Sequence, residues 1–510
     1  MVRRLAAGSV GFNTAANFVS QFIAPSLGLL LIPVYLHFVG LAGYGLLALL
    51  TAILATSGVL TRGLGWSLQR EVAHATAAGD SQRLSRLVST FAVGYWSLGG
   101  LLGLLLLILS RPVSGLLDRG EISLDTVMIC LVLLSFRVGT LFPASVYQAV
   151  LLGTRRQLLL NVITTVALLV GTAATIAGIA TTNSVVAFYV ADLVVSCGTL
   201  FYLRRVVAAE LEPATPNSRR HLSRQELRAL AGLSGGLVWV QGIGILIRQA
   251  DRLVVGAVTS LAQLGVYGAS IASGRILSLA YAPFLTAVFP ESCVVARNDP
   301  SGLPEHVIGN SRIVALTSVG VGVPVALAGH QLLMLWTQSQ RIADLGTPVL
   351  VIYVIGTMFL ALADTESQAQ TAIGTSRCAV VVNTAAALWL GPVLYILVQS
   401  VGIEGAAITW LIYGSTAWVA HTLYTFGRLM PGNLFRYLRV ISIPISILVV
   451  LNVIVAAGAR RLVEAHDLLY ILVSGTGAVA ALVAAALASF GPQTSRVMLR
   501  KLAGQRGSSV

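Results

Sequence analysis

Nine ionisable side chains fall inside long apolar segments of this 510-residue chain: Arg62, Arg137, Arg248, Arg252 and Arg275, with Asp192, Asp251, Asp364 and Glu366. Each would cost about 2.5–3.5 kcal/mol or more if it faced lipid. They must therefore face a protein interior, a water-filled cavity or one another. The five-to-four balance leans basic. Arg137 lies mid-segment in LLSFRVGTLFPAS, Arg275 in SIASGRILSLAY, and Arg248 in the outer half of its segment. Guanidinium forks bind phosphate oxygens bidentately, and their weaker hydration makes burial tolerable. If these three arginines converge, they form a cationic cavity suited to a diphosphate-linked ligand. A hydrophobic organic cation would call for acids and aromatics instead. The plainer alternative pairs each arginine with an acid or a helix-end carbonyl.

Asp364 and Glu366 lie in LALADTESQAQTAIG, the most polar stretch within any apolar segment. On a helix Asp364 and Gln368 share a face, and Glu366 points elsewhere. Buried carboxylates carry protons in transporters, and oxygen-rich sites also take sodium. Both residues are thus candidates for coupling to H+ or Na+, against a polar cavity wall or an ion pair. Asp192, in AFYVADLVVS, is either a further coupling acid or the partner of an arginine such as Arg137. Arg248, Asp251 and Arg252 are spaced i, i+3, i+4, which places Asp251 beside Arg248 on one face. Asp251 and Arg252 are expected to be structural. Asn13, Asn17 and Gln21 recur every four residues. They mark one polar stripe of a helix, expected to line the cavity. Arg70 sits near an interface, where snorkelling needs no function. Pro25, Pro33, Pro143 and Pro283 are expected to kink their helices.

No P-loop, H-E-x-x-H or G-x-S-x-G in context occurs, so no catalytic residue, bound metal or organic cofactor is expected. Any energy must come from an ion gradient or from removal of substrate on the far side. The net charge is +14. It comes without aromatic-interleaved basic stripes, so nucleic acid is not an expected partner. The cysteines, Cys130, Cys197, Cys293 and Cys378, are scattered. They show no C-x-x-C spacing, so neither zinc nor a disulfide framework is suggested.

These side chains must be positioned by membrane helices. Hydrophobic residues make up 56% of the chain and charged residues 10%. Such a charged fraction is far below that of a soluble protein. Apolar runs of spanning length predict an all-α polytopic membrane protein of roughly fourteen transmembrane helices. They lie near 9–37, 43–69, 86–109, 123–151, 157–179, 183–204, 229–257, 262–290, 308–330, 346–374, 378–400, 404–427, 436–457 and 468–490. With the N-terminus inside, inner segments hold 23 of the 33 Lys and Arg residues and outer loops hold 5. That bias puts both termini in the cytoplasm.

The chain also echoes itself. Gly43-Tyr44-Gly45 returns as Val266-Tyr267-Gly268, and Gly153-Thr154 as Gly374-Thr375. Asn161 returns as Asn383, and Thr199 as Thr422, all at a near-constant offset along the chain. Tyr44, Gly45, Tyr267 and Gly268 are expected to be structural. An offset of six helices keeps the same crossing sense, so the repeat is parallel. The expected organisation is an N-terminal lobe over 1–209 (spans 1–6), a cytoplasmic linker over 210–228 and a C-terminal lobe over 229–428 (spans 7–12). Two extra spans and a basic tail follow over 429–510. Two such lobes enclose a central cavity and suit alternating access.

At these residues the chain resembles the polysaccharide flippases of the multidrug/oligosaccharidyl-lipid/polysaccharide exporter superfamily. The features are Gly43-Tyr44-Gly45 with Leu64-Gly65 and Arg70, and Asp251-Arg252-Leu253 followed by Leu264-Gly265-Val266-Tyr267. Phe289-Pro290 and Gly402-Ile403-Glu404-Gly405-Ala406-Ala407 complete the pattern. The resemblance implies a bacterial inner-membrane protein that translocates an undecaprenyl-diphosphate-linked oligosaccharide for lipopolysaccharide or exopolysaccharide synthesis. The implied partners are the bilayer, the lipid-linked oligosaccharide, a polysaccharide polymerase and glycosyltransferases. A multidrug or organic-cation antiporter of the same superfamily is the alternative, and a non-transporting membrane scaffold a remote one.

Overall fold

The computed structural model describes residues 26–117, 120–211, 242–462 and 467–502. The expected polar stripe of Asn13, Asn17 and Gln21 and residues 212–228 of the expected linker lie outside these, as does the side chain of Arg62. Every described element is a helix. Helices satisfy all of their own backbone hydrogen bonds, which water-free surroundings demand. In order they are α1 (Ile32–Ser57), α2 (Val59–Ala77), α3 (Ser81–Leu117), α4 (Leu124–Gly153), α5 (Gln157–Thr182) and α6 (Val185–Leu211). Next come α7 (242–258), α8 (Leu261–Gly274), α9 (Ile276–Asn298), α10 (Leu303–Leu327) and α11 (Gly329–Thr337). The chain continues through α12 (Gln340–Ala372), α13 (Arg377–Val401), α14 (Ile403–Tyr424), α15 (Leu434–Leu462) and α16 (Asp467–Leu502).

Eleven of the described helices are long and apolar enough to cross a membrane. Of the other three expected spans, the first and seventh begin outside the described residues. The twelfth is α14, whose Gly, Thr, Trp and Tyr content lowers its hydropathy. Leu101 and Ile108 on α3, Leu388 on α13 and Ile454 on α15 stand exposed. Lipid is the solvent that suits such side chains. The chain is a polytopic all-α membrane protein.

Two units form, Met1–Gly265 and Val266–Val510. The first therefore extends past the linker expected at 210–228 and takes in 242–265. The reason is close packing. A Cβ on Gly256 of α7 would come within 2.8 Å of Leu49 Cδ1 on α1. Glu121, in the turn before α4, accepts the Ala262 N–H at the start of α8 (3.0 Å). At the same place Gly45 lies against the Leu261 carbonyl and Gly265 lies against the Leu41 carbonyl. Leu41 to Gly45 and Leu261 to Gly265 read L-A-x-x-G twice, and the two copies clasp each other. Tyr44, Gly45, Tyr267 and Gly268 are all buried.

Within the first unit α1 runs through a turn at Gly40, whose φ is 72°. That is the left-handed region, which glycine enters without a steric penalty. Helices α3 and α4 approach along Gly99 and Gly103; a Cβ on Gly103 would meet the Ser135 carbonyl oxygen at 2.8 Å. This small-xxx-small seam is how membrane helices gain van der Waals contact without a hydrophobic drive. Phe142, Leu151, Leu87 and Leu203 fill the adjoining core. In the second unit α12 meets α14 at Gly356 and Gly414 by the same device. There α15 and α16 pack on each other and on α10. Tyr437 and Phe426 stack 4.4 Å apart and anchor α15 in a buried cluster.

Breaks within spans arise at other places than the expected prolines. The second span is interrupted at Gly58, between α1 and α2, and the eighth at Arg275, between α8 and α9. Pro143 and Pro283 lie inside continuous helices, Pro33 opens α1, and Pro25 lies outside the described residues. Proline removes one hydrogen bond that a neighbouring helix or side chain can replace in a bundle.

Substituting alanine at Gly45 or Gly265 should each cost about 1–3 kcal/mol by overpacking the clasp. The double variant should cost less than the two singles together, because one displacement of the two segments makes room for both added Cβ atoms. Thermal unfolding in detergent, read for the two single variants and the double, checks this.

Candidate functional site

In the first unit α1, α2, α4, α5 and α6 surround a cavity of about 780 Å³. Its wall is unusually rich in hydroxyls for a membrane bundle, among them Thr51, Thr61, Thr140, Ser145, Thr164 and Thr172. Four of them donate back to carbonyls of the preceding turn: Thr61 to Gly58 (2.7 Å), Thr140 to Arg137 (2.8 Å), Ser145 to Phe142 (2.6 Å) and Thr164 to Leu160 (3.0 Å). Their single protons are thus spent, and their oxygen lone pairs remain to accept hydrogen bonds from the cavity. Gln69 and Gln148 also line the space, with no hydrogen bond to a described residue. Tyr35 and Phe188 supply aromatic surface, packed edge to face 5.7 Å apart.

One ion pair enters this wall. Arg137 of α4 donates through Nε to Asp192 Oδ2 of α6 at 2.9 Å. The pairing of these two residues, one of the alternatives open from the sequence, is what the fold produces. Both side chains keep contact with open space, 20% and 32% exposed. The pair puts a charge of each sign into a cavity otherwise lined by hydroxyls, amides and apolar carbon.

The other arginines lie elsewhere. Arg248, on α7, is exposed and does not line the cavity. Asp251 and Arg252 are buried beside it, and Asp251 Oδ1 accepts the Arg252 backbone N–H (2.8 Å). Arg275 belongs to the second unit, exposed at the α8–α9 break. The first unit by itself therefore holds a balanced pair, the alternative in which an arginine is matched by an acid.

The second unit carries a buried polar network around Glu366. This carboxyl is fully enclosed. Thr422 of α14 donates to its Oε2 (2.8 Å), and Tyr437 of α15 donates to its Oε1. Trp418 Nε1 in turn donates to the Tyr437 oxygen (3.0 Å). One turn along α12, Gln370 donates to Thr425 (2.9 Å), and its carbonyl oxygen meets His421 Nδ1 (3.1 Å). A π-helical turn, Thr425–Leu429, follows at once. Asp364 stands on the other face of α12, half-buried, and accepts from the Tyr281 hydroxyl (3.2 Å). The helical phase read from the sequence thus separates the two acids as the structure does. Tyr437, His421 and Trp418 were not foreseen as site residues. Gln370 belongs to the polar stretch LALADTESQAQTAIG, and Tyr437 lies in RYLRV, which reads as the basic flank of a span.

Comparisons with known proteins agree on fold and family. A Shigella flexneri protein described as "Putative O-antigen transporter" is 23% identical over 394 residues, covering 76% of this chain and 90% of that protein. The lipid II flippase MurJ in an inward closed conformation superimposes with a TM-score of 0.72 at 14% identity, over 93% of this chain and 98% of that one. An inward-facing multidrug resistance MATE family transporter of the MOP superfamily gives a TM-score of 0.65 at 15% identity, over 83% and 99%. The sequence profile described as polysaccharide biosynthesis protein matches residues 10–292, more than half of the chain. The chain therefore belongs to the polysaccharide biosynthesis protein family, built on the fold of the multidrug/oligosaccharidyl-lipid/polysaccharide exporters.

Proposed function

We propose that this protein is a flippase. It moves an undecaprenyl-diphosphate-linked oligosaccharide from the inner to the outer leaflet of a bacterial inner membrane by alternating access, with both termini in the cytoplasm. The observation that carries this reading is the cavity of about 780 Å³ with Arg137 set into a wall of hydroxyl and amide groups. A glycan is a dense array of hydroxyl donors, and the cavity presents acceptors and amides to them. A diphosphate needs a guanidinium, and one is present. A cavity of this size is in the range that encloses small organic ligands, which a short oligosaccharide matches. The family match and the Shigella flexneri relative support the same substrate class. Glycosyltransferases on the inner face would supply the substrate, and a polymerase on the outer face would consume it.

An organic-cation antiporter shares the fold. Such a ligand asks for an uncompensated acid, whereas Asp192, the acid of this cavity, is held by Arg137.

Coupling to an ion gradient rests on Glu366 in this reading. A carboxyl enclosed by neutral partners can have its charge balanced only by a proton or a small cation. Its two hydrogen-bond donors come from α14 and α15, so loading and unloading would alter how those helices hold α12. Asp364 and Asp192 are the lesser candidates, the first being half-buried and the second ion-paired.

Two outcomes are expected. In a deletion strain, Arg137→Gln should lower surface polysaccharide at least tenfold at normal protein level, with lipid-linked intermediate accumulating; Arg137→Lys should restore part of it, since it keeps charge but loses the fork. Undiminished polysaccharide in Arg137→Gln counts against the assignment. In proteoliposomes, Glu366→Gln should flip substrate at a rate that no longer responds to an imposed proton or sodium gradient. Running each gradient alone identifies the ion, and a gradient response equal to wild type excludes Glu366.

A further inference from the structure

The anion-recognising group of the first-unit cavity is already engaged by an acid of the protein itself. The contact is a single one, Arg137 Nε to Asp192 Oδ2 at 2.9 Å. It uses one of the five N–H donors of the guanidinium. The four Nη donors make no hydrogen bond to any described residue, and neither does Asp192 Oδ1. Arg137 is 20% exposed and Asp192 32% exposed, and both border the cavity. A brace between two membrane helices would gain most from a bidentate, enclosed pair with every donor satisfied. This pair is monodentate and open on the cavity side, and among the described residues nothing holds the Nη edge of the arginine.

We propose that Asp192 is an internal stand-in for the anionic group of the substrate, a residue that sets affinity and release. This rests on the flippase reading above. With the cavity empty, its carboxylate holds Arg137. The diphosphate enters on the Nη edge and displaces the carboxylate from Nε. When the substrate leaves, Asp192 returns. The physical reason for such a residue is turnover. A lone guanidinium in a low-dielectric cavity would grip a diphosphate tightly, because the empty state would hold an uncompensated charge. A carrier needs binding strong enough to load and weak enough to unload. Exchange of one anion for another gives a small net binding energy while keeping the arginine never bare. The same acid discourages cations, because taking one up would require breaking its bond to Arg137.

The test uses the full-length protein in nanodiscs with undecaprenyl diphosphate as the probe and uncharged undecaprenol as the control. Asp192→Asn should bind undecaprenyl diphosphate about tenfold more tightly than wild type and undecaprenol equally. The same variant should export less polysaccharide in cells, because release becomes slow. Adding Arg137→Gln should abolish the gain in binding. A structural brace predicts neither tighter binding nor a split between binding and export. Unchanged or weaker binding by Asp192→Asn overturns the proposal, and so does failure of this near-isosteric variant to insert. Full export by the swapped pair, Arg137→Asp with Asp192→Arg, overturns it too. If wild type itself binds undecaprenyl diphosphate no better than undecaprenol, the flippase reading fails, a result distinct from failure of the exchange alone.

Discussion

Charge in a medium without water is the constraint from which the arrangement of this bundle follows. A lone ion at that depth costs several kcal/mol, and each ionisable side chain must be neutralised by something within reach. The two units solve this differently. In the first, Arg137 on α4 and Asp192 on α6 cancel each other across a polar cavity, and both stay partly open to it. In the second, Glu366 is sealed among Thr422, Tyr437 and Trp418, none of which carries a formal charge. An open pair invites a competing ion. A sealed acid invites only something as small as a proton or a bare cation. The division between substrate handling and energy coupling proposed for this protein rests on that contrast.

Close backbone approach is the second condition. Membrane helices gain nothing from excluding lipid in favour of other apolar surface, so they need intimate contact to associate. The Gly99–Gly103 seam of α3 on α4 provides it in the first unit, and the Gly356–Gly414 contact of α12 on α14 in the second. These seams pack α4 and α12 closely against a neighbour, and those helices carry Arg137 and Glu366. A site on a rigid element keeps its geometry through the motion that alternating access requires.

Helix content and most span boundaries were legible in the sequence, because a run of some twenty apolar residues admits no other structure at membrane depth. The parallel repeat was legible through paired motifs, but its register was blurred. The Tyr-Gly echo matches Tyr44 with Tyr267, whereas the clasp matches Leu41 with Leu261, a register three positions shorter. The turn after the fourth span slips in the same direction, by two positions. Its left-handed residue is Arg155 (φ 61°) in one copy and Gly374 (φ 91°) in the other, although the sequence motif pairs Gly374 with Gly153. Short insertions within a repeat move residue labels without moving backbone. Asp192 was legible as a partner of Arg137, because an isolated acid and an isolated arginine in neighbouring segments have few other choices. The Glu366 network was half legible. Its acid announces itself by its rarity, whereas Tyr437 is an ordinary residue of a basic flank and Trp418 an ordinary residue of the twelfth span, and only the fold gathers them around the carboxyl. The break of the eighth span at Arg275 was not legible, since nothing in Gly274-Arg275-Ile276 outweighs the nearby Pro283 as a signal.

The two copies have also diverged in chemistry at matching positions. Thr199 and Thr422 stand in for each other in the repeat, yet Thr199 lines the open cavity and Thr422 donates to a sealed Glu366. Gln148 faces the cavity, whereas Gln370, which follows it at the offset of the repeat, is locked to His421 and Thr425. A duplicated scaffold supplies the same helix positions twice. Filling one set with unsatisfied acceptors and amides makes a receptor for a polar ligand. Saturating the other set with internal hydrogen bonds makes a closed core in which one acid stands out. Where each polar group spends its hydrogen bonds therefore distinguishes the two lobes more sharply than which polar groups they contain.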